Sequence, residues 1–210
     1  MEQSLIMPPL TSWMPQPTAE PRLRALLARV SAAPQLHARF LNTLSLLEHI
    51  GSRKIMATQS GAPGGETLQH LAEEARHAFF FKRQAEAAAG HPLAYGAGEI
   101  MAGPQARAYM ARLDAFIARG AKGMAAYLYM SLVVELRAIW FYRIYQDVLA
   151  AAGRPIRLTG LLAEETRHLQ EMGERLAALG EDVEARLPSF TAYEETRFSH
   201  LLCGLERAAA

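Results

Sequence analysis

Residues 73–77 read Glu-Glu-Ala-Arg-His and residues 164–168 read Glu-Glu-Thr-Arg-His, so the chain carries the string Glu-Glu-x-Arg-His twice. Both copies lie in segments rich in helix-forming residues such as Ala, Leu, Glu and Arg. Residues three apart in an α-helix share one face, so the second glutamate and the histidine of each copy can approach the same ion. The repeat therefore predicts two helices that each offer one oxygen and one nitrogen ligand. These candidate ligands are Glu74, His77, Glu165 and His168.

The helix faces that carry these residues are apolar. Phe81 shares the stripe of Glu74, and Leu169 shares the stripe of Glu165, at the spacing of a buried helix face. A buried carboxylate is costly unless it is paired or binds a cation, so an acid on an apolar stripe is more informative than one on a solvated face. Both motifs are therefore expected to point into the core.

Two further helical segments carry one inward acid each. Glu48 lies on a stripe with Leu44, and Glu135 lies on a stripe with Leu132. Four carboxylates and two imidazoles can bind two divalent ions and leave coordination positions open for oxygen or substrate. The alternative interpretation is a helical bundle in which buried ion pairs neutralise these groups.

This ligand set resembles that of the ferritin-like di-iron or di-manganese carboxylate proteins, over about residues 34–178. In that family two helices of a four-helix bundle supply one glutamate each, and the other two supply Glu-x-x-His. The resemblance implies two metal ions, with two of the glutamates bridging them. One ion would be held by Glu48, Glu74 and His77, and the other by Glu135, Glu165 and His168.

The two strings also resemble the Asp-Glu-x-Arg-His string of bacterial di-iron monooxygenases, in which the leading aspartate orients a metal-bound histidine. Glu73 and Glu164 occupy the place of that aspartate here. A metal-bound histidine usually donates its other N–H to an acceptor that fixes the ring, which gives these acids a physical role. Arg76 and Arg167 are expected to neutralise and hold the two acids.

The remaining pattern predicts an all-α chain with a ferritin-like four-helix bundle of two antiparallel hairpins joined by a long crossover, plus additional short helices. We divide the chain into a proline-rich arm and short helix (residues 1–33), the bundle (34–180) and a C-terminal helical extension (181–210). Predicted helices span about residues 18–30, 34–59, 66–89, 105–118, 124–151 and 159–178, followed by a short helix after Pro188.

The spacing within the second predicted hairpin is uneven. Glu135 lies further from the turn at residues 152–155 than Glu165 does. Their side chains can therefore meet only if the loop is longer than the turn signal suggests, or if the two helices are offset along their axes.

Composition restricts partners and location. The chain has 22 basic and 21 acidic residues and a formal net charge of +1, which favours neither nucleic acid nor a membrane surface. Cys203 is the only cysteine, so a disulfide framework and a thiolate cluster are excluded, and nitrogen and oxygen must hold any metal. We find no secretory leader and no apolar run near the roughly 20 residues of a membrane helix, and expect a cytoplasmic protein.

The expected function is that of a di-iron oxidoreductase that activates oxygen to hydroxylate or oxidise a small organic substrate. Its cofactor would be two Fe ions, with Mn or a mixed pair fitting the same ligands, and its partners a small-molecule substrate, dioxygen and an external electron donor. The flanking segments could form a lid or a homodimer interface. Two alternatives remain open: an iron-oxidising or peroxide-scavenging protein similar to ferritin or rubrerythrin, and a non-enzymatic helical interaction protein.

Several residues near the candidate ligands receive no ligand role. His49 and His70 are interpreted as access-path residues or ordinary histidines, and Tyr142 is interpreted as a core aromatic that could contact the centre. Small residues near the ligands indicate room for a substrate. These are Gly51, Ser52, Ser131 and Ala138.

Overall fold

The computed structural model describes residues 19–58 and 63–210, and within them the chain forms seven helices and no strand. The prediction of an all-α chain is confirmed. The proline-rich arm and most of the glycine-rich turn near residue 60 lie outside the described residues. The helices are α1 (Glu20–Ala32), α2 (Pro34–Thr58), α3 (Gly65–Ala89), α4 (Gly103–Gly120), α5 (Gly123–Ala151), α6 (Thr159–Ala178) and α7 (Val183–Ala209).

Helices α2 and α3 pack along their length as an antiparallel pair. Near one end the Lys82 ammonium donates to Asn42 Oδ1 at 2.9 Å, and further along α2 Gly51 faces the Glu74 carboxylate. Because the residue numbers rise along one helix as they fall along the other, the two helices run in opposite directions. Gly90 ends α3 in the left-handed conformation at φ 78°, and its N–H donates to Glu86 O at 2.9 Å.

Helices α5 and α6 form the second antiparallel pair, and the loop between them is longer than the turn predicted at residues 152–155. The connecting segment, residues 152–158, folds back along the end of α5, where the Leu158 N–H donates to Gln146 Oε1 at 2.6 Å. The chain thus returns beside α5 before α6 begins. This return brings Glu165 level with Glu135 in spite of their unequal distances from the turn.

Helix α7 differs from the predicted short helix after Pro188. It has 27 residues, begins at Val183 and contains Pro188 in its second turn. The Asp182 carboxylate accepts a hydrogen bond from the Ala185 N–H at 3.0 Å and caps the helix. A proline near a helix start removes only one intrahelical hydrogen bond, so the capped first turns persist on the N-terminal side of Pro188.

Helix α5 lies at the centre of the fold. It contacts α1, α4 and α6 and contributes more buried side chains than any other described helix. By length and composition alone it could cross a membrane, which corrects the expectation that no apolar segment is long enough. Within the structure, 72% of its most apolar 18 residues are buried against the rest of the protein, as in the core helix of a globular fold.

Candidate metal centre

The structure brings all six predicted ligands together in the core. Within the described residues, two sets of buried side chains have ligand atoms that all lie within 4.8 Å of one another. Each set could hold a metal ion. The first comprises Glu48, Glu74, His77 and Glu165, and the second comprises His70, Glu74, Glu135 and His168.

The grouping differs from the predicted division of ligands between two ions. Glu74 belongs to both sets, and Glu165 joins the set of Glu48 rather than that of Glu135. One Glu165 oxygen lies 3.0 Å from His77 Nδ1 and the other lies 3.5 Å from His168 Nδ1. Glu74 is therefore shared by the two sets, and Glu165 lies within 3.5 Å of a histidine of each set.

His70 is a seventh member of the cluster, although it was not predicted as a ligand. Its Nε2 lies 3.5 Å from a Glu74 oxygen and 3.4 Å from a Glu135 oxygen, and its Nδ1 lies 2.9 Å from the Tyr127 hydroxyl. Residues four apart share a helix face as do residues three apart, so His70, Glu74 and His77 form one row on α3. That row was readable in the sequence as His-x-x-x-Glu-x-x-His.

Each of the three histidines leaves one nitrogen without a hydrogen-bond partner in the part of the chain that the structure describes. Among the described residues, the buried side-chain atoms without such a partner include His70 Nε2, His77 Nδ1 and His168 Nδ1, together with one Glu165 oxygen. An unsatisfied buried polar group costs roughly 1–3 kcal/mol, so four of them in one cluster require an explanation. All three nitrogens face the carboxylates, and cations bound among these groups would satisfy them. The donor set therefore fits a metal centre.

The outer nitrogens of two histidines are held by acids from the opposite hairpin. His168 Nε2 donates to Glu73 at 2.6 Å, and His77 Nε2 donates to Glu164 at 2.8 Å. Both acids pair in turn with the arginines named from the sequence, since Arg167 lies 2.7 Å from Glu73 and Arg76 lies 2.7 Å from Glu164. Each acid thus serves the histidine of the other motif, a cross-pairing that fixes both rings and joins α3 to α6.

Tyr142 also contacts the cluster. Its hydroxyl donates to Glu48 Oε1, and its ring stacks on Phe81 at a centroid distance of 5.4 Å. The interpretation of Tyr142 as a core aromatic holds for its burial, but its hydroxyl lies at the centre. His49, in contrast, stacks on Tyr95, which agrees with its exclusion from the ligands.

The carboxylates stabilise the protonated, positively charged forms of the histidines in the cluster. Burial alone would lower the pKa of His70, but the adjacent carboxylates of Glu135 and Glu74 raise it to about 11. The same balance raises the pKa of His77 and of His168 to about 10. Burial raises the pKa of Glu48, and the charges of adjacent glutamates raise it further. In the absence of metal, protons therefore compensate the charge that cations could compensate.

A cavity of about 90 Å³ adjoins the carboxylates between α2, α4, α5 and α7. Glu48, Glu74, Glu135 and Glu165 line one part of it, and the rest is mainly apolar. Two of the small residues named from the sequence, Gly51 and Ala138, line this cavity, and Ser131 lines a recess of about 40 Å³ beside His70. Ser52 instead donates to His49 O at 3.0 Å. Candidate metal ligands therefore form part of the wall of a mainly apolar cavity.

Comparison with known proteins adds no family: no protein-family model matches the chain, and neither does any curated protein or solved structure. The geometry of the buried Glu and His sets is nevertheless compatible with a ferritin-like site.

Proposed function

We propose that this protein is a dinuclear-metal oxidoreductase that uses dioxygen to oxidise a small organic substrate. The metal pair would be held by seven side chains on α2, α3, α5 and α6, arranged as a ferritin-like four-helix bundle. The observation that carries the proposal is the apolar cavity that opens directly onto the carboxylates. A centre that only stored iron would have no need of an apolar space beside its ligands.

The position of each ligand in the cluster indicates which ion it would hold. Glu48, Glu74, His77 and Glu165 would hold one ion, and His70, Glu74, Glu135 and His168 would hold the other, with Glu74 common to both sets. When bound, a pair of iron or manganese ions would supply the redox chemistry with dioxygen that protein side chains lack. We propose iron as the bound metal, and a ligand set of carboxylates and imidazoles also suits manganese.

The surrounding residues would orient the ligands and hold protons. Glu73 and Glu164 accept hydrogen bonds from the outer nitrogens of His168 and His77, so that on metal binding the inner nitrogens would lose their protons and offer lone pairs to the ions. The Tyr142 hydroxyl, donating to Glu48 at the cavity wall, holds a proton next to the substrate space. In a hydroxylation, one oxygen atom enters the substrate and the other leaves as water, so two electrons and two protons must come from an external donor.

The first test is the metal content per chain, measured by elemental analysis after expression with iron and manganese available. Near two ions are expected for the wild type. Glu74→Ala removes a residue common to both sets and should lose most of both ions, and Glu165→Ala should also lose metal markedly. Glu174→Ala, which removes an exposed acid on α6, serves as the matched control and should retain the wild-type content.

Far-UV circular dichroism on the same samples separates loss of metal from loss of fold. A folded wild-type protein that takes up neither iron nor manganese on reconstitution would overturn the proposal and favour buried ion pairs. With two ions present, the next measurement is oxygen consumption by the reduced, metal-loaded protein with and without small organic compounds. Consumption that organic compounds never stimulate would favour iron oxidation or peroxide removal instead.

A further inference from the structure

A buried cluster of ion-paired side chains lies against the cavity. It is built around an arginine, whereas the candidate metal ligands that line the cavity are carboxylates. Arg137 on α5 is only 5% exposed, and its Nε and Nη2 donate to the two oxygens of Glu194 at 2.9 and 2.6 Å. The Tyr109 hydroxyl donates to the same carboxylate at 2.7 Å, and Arg137 Nη2 also contacts Glu195. Both Arg137 and Tyr109 are among the residues that line the cavity.

The third nitrogen of the guanidinium differs from the other two. Arg137 Nη1 is buried and has no hydrogen-bond partner among the described residues. The guanidinium cannot easily turn to find one, because its central carbon lies 4.1 Å from the Phe198 ring centroid and 5.0 Å from that of Trp140. Arg137 lines the cavity, and two of its N–H donors are held in place without an acceptor among the described residues, an arrangement that an acceptor on a ligand would complete.

The charge of Arg137 is already compensated. Glu194 binds it through two hydrogen bonds and Glu195 adds a second negative charge, so one cation faces two acids. A carboxylate on the ligand would bring a third negative charge into this buried cluster, which is unfavourable. A neutral oxygen acceptor would use the free donors without that penalty.

We propose that the cavity binds a small, neutral carbonyl compound whose oxygen accepts hydrogen bonds from Arg137 Nη1 and whose apolar part lies between Arg137 and the metal ligands. The apolar walls include Phe40, Leu44, Met110, Phe141 and Leu201. This inference rests on the proposed function, because it names the substrate class of the same site. At about 90 Å³ the cavity is smaller than the roughly 150 Å³ cavity known to admit benzene, so the compound should have on the order of five non-hydrogen atoms.

The probe is 2-butanone labelled with ¹³C at the carbonyl, titrated into the purified, metal-loaded full chain and followed by ¹³C NMR. Saturable binding in the millimolar range is expected, with a downfield shift of the bound carbonyl signal from its hydrogen bond. Butyrate, of similar size but negatively charged, should bind at least tenfold more weakly. Tighter binding of butyrate than of 2-butanone would overturn the assignment of a neutral acceptor.

Two variants locate the binding site. Arg137→Lys keeps a positive charge beside Glu194 but removes the Nη1 donors, and should weaken 2-butanone binding about tenfold and abolish the downfield shift. Ala138→Leu adds three carbon atoms to the cavity wall without altering Arg137 and should block binding. Ala150→Leu, the same change at an exposed position of α5, is the control and should bind as the wild type does.

Metal content measured on the same samples separates the two proposals. Binding of 2-butanone by a protein that holds no metal would leave the carbonyl site standing and remove the proposed function. A protein with two ions that shows no saturable binding, or whose binding and carbonyl shift survive Ala138→Leu, would overturn the carbonyl site alone. The Ala138→Leu variant keeps this test decisive if Arg137→Lys does not fold.

Discussion

Gly51 shows how a single missing side chain shapes the centre. A Cβ atom at this position of α2 would lie 3.2 Å from Glu74 Oε2, closer than such contacts normally are. Because Glu74 belongs to both ligand sets, displacing it would disturb both. We expect Gly51→Ala to lower metal affinity several-fold while the fold is retained, since alanine favours a helix by up to about 1 kcal/mol over glycine. Elemental analysis and a competition titration with a chelator measure the effect.

Gly160→Ala is the matched control for this substitution. Gly160 lies in α6, and apart from its chain neighbours and the backbone of its own helix no described atom lies within 4 Å of the position that its Cβ would take. This variant should keep wild-type metal affinity. Equal affinities for Gly51→Ala, Gly160→Ala and the wild type would contradict the view that Gly51 makes room for Glu74.

His37 gives the metal-free protein a pH dependence that is independent of the metal centre. It is buried, its Nε2 lies 2.5 Å from the Tyr145 hydroxyl, and burial together with the charge of Arg154 lowers its pKa to about 4. A histidine whose pKa is lower in the folded than in the unfolded state stabilises the fold above the unfolded value, about 6.5. That contribution is lost as the pH falls toward 4, and amounts to roughly 2–3 kcal/mol between pH 7 and 4.5.

Urea unfolding of the wild type and of His37→Gln at pH values from 7 to 4.5 measures this contribution. Glutamine can still hydrogen-bond to Tyr145 but does not titrate, so the variant should lose less stability on acidification. All other titratable groups are the same in both proteins, so their effects on the free energy of unfolding cancel in the comparison. Parallel stability curves for the two proteins would show that His37 is not buried in its neutral form.

At the residue scale, the sequence indicated the cluster but not all of its members. Glu48 and Glu135 were identifiable because a lone acid on an apolar stripe is costly without a partner. His70 was omitted although it shares a helix face with Glu74, because a histidine on a partly apolar face has many ordinary roles. The pairing of Arg137 with Glu194 joins two helices distant in sequence, and no local pattern reveals which buried acid an arginine will meet.

At the element scale, helix ends followed local signals closely. The bounds of α1 to α6 agree with those predicted to within two residues, because glycine and proline mark most of those ends. Helix α7 is the exception, since Pro188 was interpreted as a helix start although it lies inside the helix. The stronger signal was Asp182, whose side chain caps α7. This capping extends α7 so that it begins well before the residues that line the cavity.

The cap of α7 is testable by substitution. We expect Asp182→Ala to lower the free energy of unfolding by about 1 kcal/mol, because the Ala185 N–H loses its side-chain acceptor. Asp182→Asn should be nearly neutral, because asparagine caps helices about as well as aspartate. Urea unfolding provides the measurement. An equal loss in both variants would show that the negative charge, rather than the hydrogen bond, stabilises the start of α7.

At the scale of the whole molecule, the candidate centre connects elements that otherwise touch little. Helices α3 and α6 have few contacts, yet Glu73 reaches His168 and Glu164 reaches His77 across their interface. The acid comes from α3 in one of these hydrogen bonds and from α6 in the other. Neither hairpin can therefore shift along the other without breaking one of the two bonds. The ligands on α2 and α5 complete the connection. Metal binding and docking of the two hairpins should therefore be coupled.

This coupling predicts that metal ions stabilise the entire fold. An ion that binds only the folded chain at 100 times its dissociation constant adds about 2.7 kcal/mol, or a rise in Tm of roughly 5–10 °C for a chain of this length. Adding Mn²⁺ to the chelator-treated wild type and to Glu174→Ala should raise both melting temperatures as the concentration increases. Glu74→Ala should show little rise, since both ligand sets lose a member. Stoichiometric metal uptake by the wild type without any change in Tm would place the ions on the surface and leave the two hairpins joined by the cross-paired acids alone.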